Sequence, residues 1–358
     1  TGLSSANLDS AFQSWSTQAV QSGLTLGVNG LLFCSSQEAR RTLEESLGWS
    51  IEGDGFDSGN GLCSYIFFEN DELEDAVEEW MDNPALAEAT YGHISTWDVS
   101  RITDMNYLFS YSGFNEDISS WEVGNVTNME EMFYGAETFN QDIGGWDVGN
   151  VTSTMLMFWD AFAFDQDLSN WNVGNVSNMT QMFGYATAFN GNLSDWDVSQ
   201  VTTMRQMFDG ASSFNQDLSN WDVGSVTSMV EMFYGATDFN GEIGAWDVSN
   251  VRDMRGMFQV ASSFNGDLSG WNVGQVTNMS GMLSGSERVW AYDGSSWGWT
   301  TQSHPYIFNQ DIGSWNTSNV TNMSSMLANA TAFDQDLSSW DVSNALDVSN
   351  MLDSTGLS

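Results

Sequence analysis

The stretch "FNQDLSNWDVGSVTSMVEMFYGATDFNGEIGAWDVSNV", Phe214 to Val251, nearly copies itself before it ends, and variants of it fill most of the chain. Tryptophan marks the period, at Trp97, Trp121, Trp146, Trp171, Trp196, Trp221, Trp246, Trp271, Trp315 and Trp340. The step is 24, then 25 six times, then 44, then 25, so one unit carries 19 extra residues. Self-similarity at such a period is the signature of a repeat architecture.

Each unit holds two apolar patterns. In L-S-x-W-D-V, as at Leu168, Trp171 and Val173, the tryptophan and valine are two apart, which points both inward from a short strand. In T-N-M-x-x-M-F-x-x-A, as at Thr127, Met129, Met132, Phe133 and Ala136, spacings of three and four favour one face of a short helix. Thr127 with Glu130 reads as a capping box. One such unit cannot hide both faces alone, but stacked units can, with strands about 4.8 Å apart. The expected fold is therefore an α/β solenoid of about ten 25-residue units, with a parallel sheet of short strands and short helices. The ten tryptophans and the methionines are read as core rather than as a metal or cofactor site.

Four regions follow. Residues 1–92 form an N-terminal cap, in which "AFQSWSTQAV" and "SQEARRTLEESLGW" read as amphipathic helices and "EGDGFDSGNG" as a loop. Residues 93–283 are the repeats, 284–307 an insertion, and 308–358 the last repeats with a C-terminal cap.

Composition narrows the function. Forty-eight acidic residues face seven arginines with no lysine, a net charge of -41. That charge excludes nucleic acid and argues against anionic lipid, since both need cations. Apolar residues make up 41%, too many for a disordered acidic tail. No apolar run reaches the ~20 residues of a membrane-spanning helix. Cys34 and Cys63 are expected to pair as a disulfide in an exported chain and to stay thiols in a cytosolic one.

The residues "YGHISTWDVSRITDMNYLF", Tyr91 to Phe109, followed by recurrent "VTNMxxMF" and "FNQDLSxWDVS", resemble the BspA-like leucine-rich-repeat surface proteins of bacteria, mycoplasmas and protists. The lead-in "ELEDAVEEWMDNPALAEATYG", Glu72 to Gly92, resembles that of algal members. The resemblance runs from Leu73 to about Met351. It implies a right-handed solenoid displayed outside the cell, associated with adhesion and surface coats rather than with a reaction. It carries over no binding residue.

Three sets of residues remain as candidate sites. The insertion supplies aromatics, Trp290, Tyr292, Trp297, Trp299 and Tyr306, which on a loop suit sugar rings or a partner protein, or else cover neighbouring coils. Carboxylates at the W-D-V position (Asp98, Glu122, Asp147, Asp197, Asp222, Asp247, Asp341) and the Q-D position (Asp117, Asp142, Asp167, Asp217, Glu242, Asp267, Asp311, Asp336) fall into columns. Like charges about 5 Å apart repel, and Ca²⁺, capping of local backbone N–H groups, or salt would each relieve them. Capping and salt are the ordinary explanations, because no EF-hand sequence is present, so no cofactor is expected. Glycosylation sequons begin at Asn125, Asn150, Asn175, Asn178, Asn192, Asn278, Asn316, Asn319, Asn322 and Asn329. Neither His93 nor His304 lies in a catalytic motif, so no catalytic or metal-ligating residue is assigned.

The expectation is a non-enzymatic extracellular or cell-surface structural protein, assembling into filaments or coats. The alternative is an adhesin or lectin-like module using the insertion or the acidic strand face. Expected partners are surface or matrix proteins, glycans, or a second copy end to end.

Overall fold

The computed structural model describes residues 4–57, 63–292 and 297–357, with backbone alone at 54, 288–292, 297–299 and 301. The chain divides into two compact units, 1–103 with 116–125, and 104–115 with 126–358. The division falls past residue 92, because the first tryptophan segments join the N-terminal unit: Ile66 bridges Asp98 in parallel, and the Trp97 and Trp121 rings stack at 6.3 Å.

In the first unit, α1 (Ser5–Ser16) is followed by β1 (Thr25–Phe33), α2 (Gln37–Arg41) with a π turn at Thr42–Ser46, and β2 (Ser50–Phe56). Strands β1 and β2 pair in parallel from Thr25↔Ser50 to Phe33↔Phe56. Half of the stretch read as a Gly-rich loop is thus strand β2; residues 58–61 of it lie outside the described residues. Leu8, Phe12, Val28, Phe33, Leu43, Ile51 and Phe56 close a core. The buried Asp9 carboxylate accepts the N–H groups of Cys34 (2.9 Å) and Ser35 (3.0 Å), which satisfies backbone just ahead of α2. Cys34 and Cys63 form a disulfide, with Cα atoms 5.3 Å apart. Helix α3 (Asn70–Asp82) buries Leu73, Ala76, Val77 and Trp80 on one face, and α4 (Pro84–Tyr91) starts with proline in its first turn.

The second unit is a stack of coils. A column of single-residue parallel bridges runs from Asp104 through Asn128, Ser153, Asn178, Thr203, Ser228, Asp253, Asn278 and Asn322 to Asp347. Its position differs from expectation. The bridge forms at T-N-M, while the W-D-V segments of the second unit lie outside any strand or bridge.

The expected short helices are absent from the described repeats. In their place runs a series of tight turns in which alternate N–H groups point to different partners. Glu131, Phe133 and Gly135 donate to Met155, Met157 and Trp159 of the next coil (3.0, 2.9 and 2.7 Å), while Tyr134 and Ala136 donate three residues back. Glu131 and Gly135 reach this path through left-handed backbone, with φ of 54° and 65°. The reason is spacing: helices approach no closer than about 8–10 Å, whereas laddered coils sit about 4.8 Å apart. A helix in every unit would pry the coils open. Thr127 is accordingly no helix cap; the Asn128 side chain accepts the Glu130 N–H (3.1 Å).

All ten repeat tryptophans are buried. Rings of the second unit file behind one another: Trp171, Trp196, Trp221, Trp246 and Trp271 stack at 6.2–6.4 Å and nearly parallel. Phe133, Phe158, Phe183, Phe208 and Phe233 form a second file at 5.5–5.7 Å. A polar file tracks them, each Asn or Asp side chain accepting the N–H of its successor: Asn115 from Asn140, Asn140 from Asp165, Asp165 from Asn190 (2.9 Å each). The 44-residue step leaves the bridging column unbroken, since Asn278 pairs directly with Asn322. The insertion leaves the stack as an antiparallel hairpin, β3 (Ser286–Tyr292) and β4 (Trp297–Ser303).

Candidate functional site

The hairpin places Trp290 opposite Trp299 and Tyr292 opposite Trp297 along its backbone. The side chains of these four lie outside the described residues. Tyr306 is a correction to the sequence reading. It is 1% exposed, and its hydroxyl donates to the Phe258 carbonyl at 3.2 Å, so it belongs to the core beneath the insertion. An aromatic in an inserted loop looks available until the chain's return path is known.

The foot of the hairpin is a polar junction. Glu287 accepts a hydrogen bond from the Tyr234 hydroxyl (2.8 Å) and lies 2.9 Å from the His304 ring. The Gln259 amide donates to the Ser286 carbonyl and the Asn329 amide to the Ser286 hydroxyl. Beside them is a depression of about 530 Å³, lined among others by Glu231, Arg255, Gln259, Glu287, Asn329 and Asp353. Arg255 pairs with Glu231 at 3.5 Å, so the carboxylates outnumber the cation. One coil earlier Asp209 is 4% exposed, and burial pushes its carboxyl up to about 7. Burial likewise pushes the Tyr185 hydroxyl up to about 12, with Asp209 and Asp160 adding repulsion. Sequence reading missed this group. The available signal was the residue after the recurrent Met-Phe, where Tyr134, Trp159, Asp209, Tyr234 and Gln259 differ from unit to unit while the Met-Phe pair does not.

The carboxylate columns have local work. At the W-D-V position Asp197, Asp222 and Asp247 accept the N–H two residues on, at 3.0 Å. At the Q-D position Asp167, Asp217 and Asp267 do the same at 2.9 Å. Where asparagine interrupts, Asn192 and Asn316 make the same turn, so the position requires an acceptor oxygen rather than a charge. The serine hydroxyl and N–H two residues on hold Asp117, Asp197, Asp247 and Asp341 below the usual carboxylate range. No group of three or more His, Cys, Asp or Glu side chains among the described residues is placed to hold a metal ion.

The sequons separate by position. Asn125, Asn150, Asn175, Asn192, Asn316 and Asn319 are exposed, and Asn178, Asn278, Asn322 and Asn329 are half-buried. The amides of Asn125, Asn175 and Asn319 donate to backbone carbonyls of the preceding coil, at Ser100, Gly149 and Gly274 (2.7 Å each). Among the described residues, no helix is long and apolar enough to cross a membrane.

Bridges, ring files and side-chain ladders at one 25-residue step define a stacked-coil repeat protein. The chain belongs to the family described as "Mycoplasma protein of unknown function, DUF285", whose model matches residues 76–196, 187–297 and 301–356. No curated protein and no solved structure matches it.

Proposed function

We propose that this chain is a leucine-rich-repeat-type solenoid serving as a non-enzymatic scaffold at the cell surface or in the extracellular matrix. The observation that carries the reading is the allocation of hydrogen bonds. Recurring indole, amide and carboxylate side chains are spent on neighbouring coils and local turns, which ties each coil to the next. The Cys34–Cys63 disulfide supports an oxidising compartment, and the family match is consistent with a BspA-like repeat family. A net charge of -41 disfavours non-specific association of such a chain.

Protease shaving of intact source cells tests this. Release of repeat peptides without lysis is the expected result; peptides appearing only after lysis contradict it. A second reading, an adhesin or lectin-like module, is favoured by the polar depression at the hairpin foot.

A further inference from the structure

The turns of the second unit carry a stripe of rings on successive coils, Tyr107 and Tyr111, Tyr134, Trp159 and Tyr185, and, past the turn where Asp209 and Gly210 supply no ring, a further ring at Tyr234. Tyr107 and Tyr111 are 54% and 76% exposed, and Tyr185 is 39% exposed. Tyr111 meets Tyr134, and Trp159 meets Tyr185, edge to face, with centroids 4.9 Å apart across one coil step.

The next coil provides a seat for these rings. A Cβ at Gly135 would come within 2.9 Å of the Tyr111 ring, and one at Gly210 within 2.6 Å of the Tyr185 ring. The Trp159 ring would collide in the same way with a side chain at Gly184. Glycine at these places lets each ring lean forward on the following turn, so the exposed rings are held rather than free.

Carboxylates alternate with the rings. Glu131 accepts the Tyr107 hydroxyl at 2.7 Å, Asp160 is hydrogen-bonded by the Trp159 side chain, and Glu287 accepts the Tyr234 hydroxyl at 2.8 Å.

We propose that this stripe binds an extended, neutral, β-linked glycan, with about one pyranose per coil from Tyr111 to Tyr185. A pyranose offers C–H faces to aromatic rings and hydroxyl donors to carboxylates, which is the combination displayed. The pyranose rise in an extended β-1,4 chain is close to the coil spacing. Anionic polymers are repelled by Glu131, Asp160 and Glu231. An apolar protein face would bury those carboxylates without donors. A polyproline segment has no N–H at its prolines to offer them. The inference is independent of the scaffold reading, since it concerns what the purified chain holds and not where the cell puts it.

The test uses the purified full chain, with retention on microcrystalline cellulose and on chitin, and titration with cellohexaose and chitohexaose. Retention by at least one of these is expected, unchanged by added salt. Tyr111→Ala and Tyr185→Ala should each weaken it about tenfold, with unchanged melting curves to show that the coils are intact. Three results overturn the proposal: no binding to any of the four probes, binding that survives both substitutions, or binding that disappears in salt. Capture of a proline-rich peptide that is lost in the same two variants would assign the stripe to a peptide instead.

Discussion

The backbone carbonyl of Leu193 serves two tryptophans. It accepts the N–H of Trp196 within its own coil (3.2 Å) and the indole N–H of Trp221 from the next (2.9 Å). The same pair of bonds recurs at Leu168 with Trp171 and Trp196, and at Leu218 with Trp221 and Trp246. The tryptophan therefore fills the core and also ties each turn to its predecessor.

Replacing Trp221 by phenylalanine separates these roles, because it keeps a ring in the file and removes the donor. The substitution should destabilise the chain by about 2–3 kcal/mol, from a lost buried hydrogen bond plus unfilled volume. Chemical denaturation of both proteins measures it; a loss within error of zero would show that the indole bond contributes nothing.

Thr154 occupies the place where neighbouring coils put methionine, is 2% exposed, and leaves its hydroxyl without a hydrogen-bond partner. Thr154→Val removes that buried polar group at nearly constant shape. A gain of about 1 kcal/mol is expected in the same denaturation assay, and a loss would mean that the hydroxyl is satisfied in solution.

Asp209 gives the chain an unusual pH response. Burial pushes its folded carboxyl up to about 7, above its unfolded value, so the folded state holds the proton more tightly. Stability should then fall as pH rises from about 4 to about 7, by about 1.4 kcal/mol per pH unit, and level off above. Asp209→Asn should flatten this slope and raise the melting temperature at pH 8. The capping aspartates act in the opposite sense: with pKa values lowered by folding, they stabilise above the unfolded carboxylate range and lose that contribution in stronger acid. Melting curves from pH 3 to pH 8 for both proteins distinguish the two windows; an unchanged slope in the variant would refute the Asp209 assignment.

The period, the buried tryptophans and the place of the insertion were legible because each follows from spacing alone; that the insertion is a hairpin was not. The turn segment was not. Met129, Met132, Phe133 and Ala136 have helical spacing, and a run of left-handed turns puts the same residues on one side. The deciding quantity is the distance between coils, which no single unit contains. Tyr306 failed for a related reason: its burial depends on where the chain re-enters the stack, against Phe258 of the preceding unit. The glycines beneath Tyr111, Trp159 and Tyr185 were visible as letters, but their purpose depends on which ring lies above them.

Residue-resolved amide exchange across 204–258 tests the coil-on-coil account most directly. Gln206, Phe208 and Gly210 donate to Val230, Met232 and Tyr234 of the following coil, and Glu231, Phe233 and Gly235 donate to Arg255, Met257 and Gln259. These amides should exchange slowly and together, with the Asn215 and Asn240 amides that bond to the preceding coil. Exchange of these same amides at unfolded-chain rates, while the rest of each unit stays protected, would contradict it.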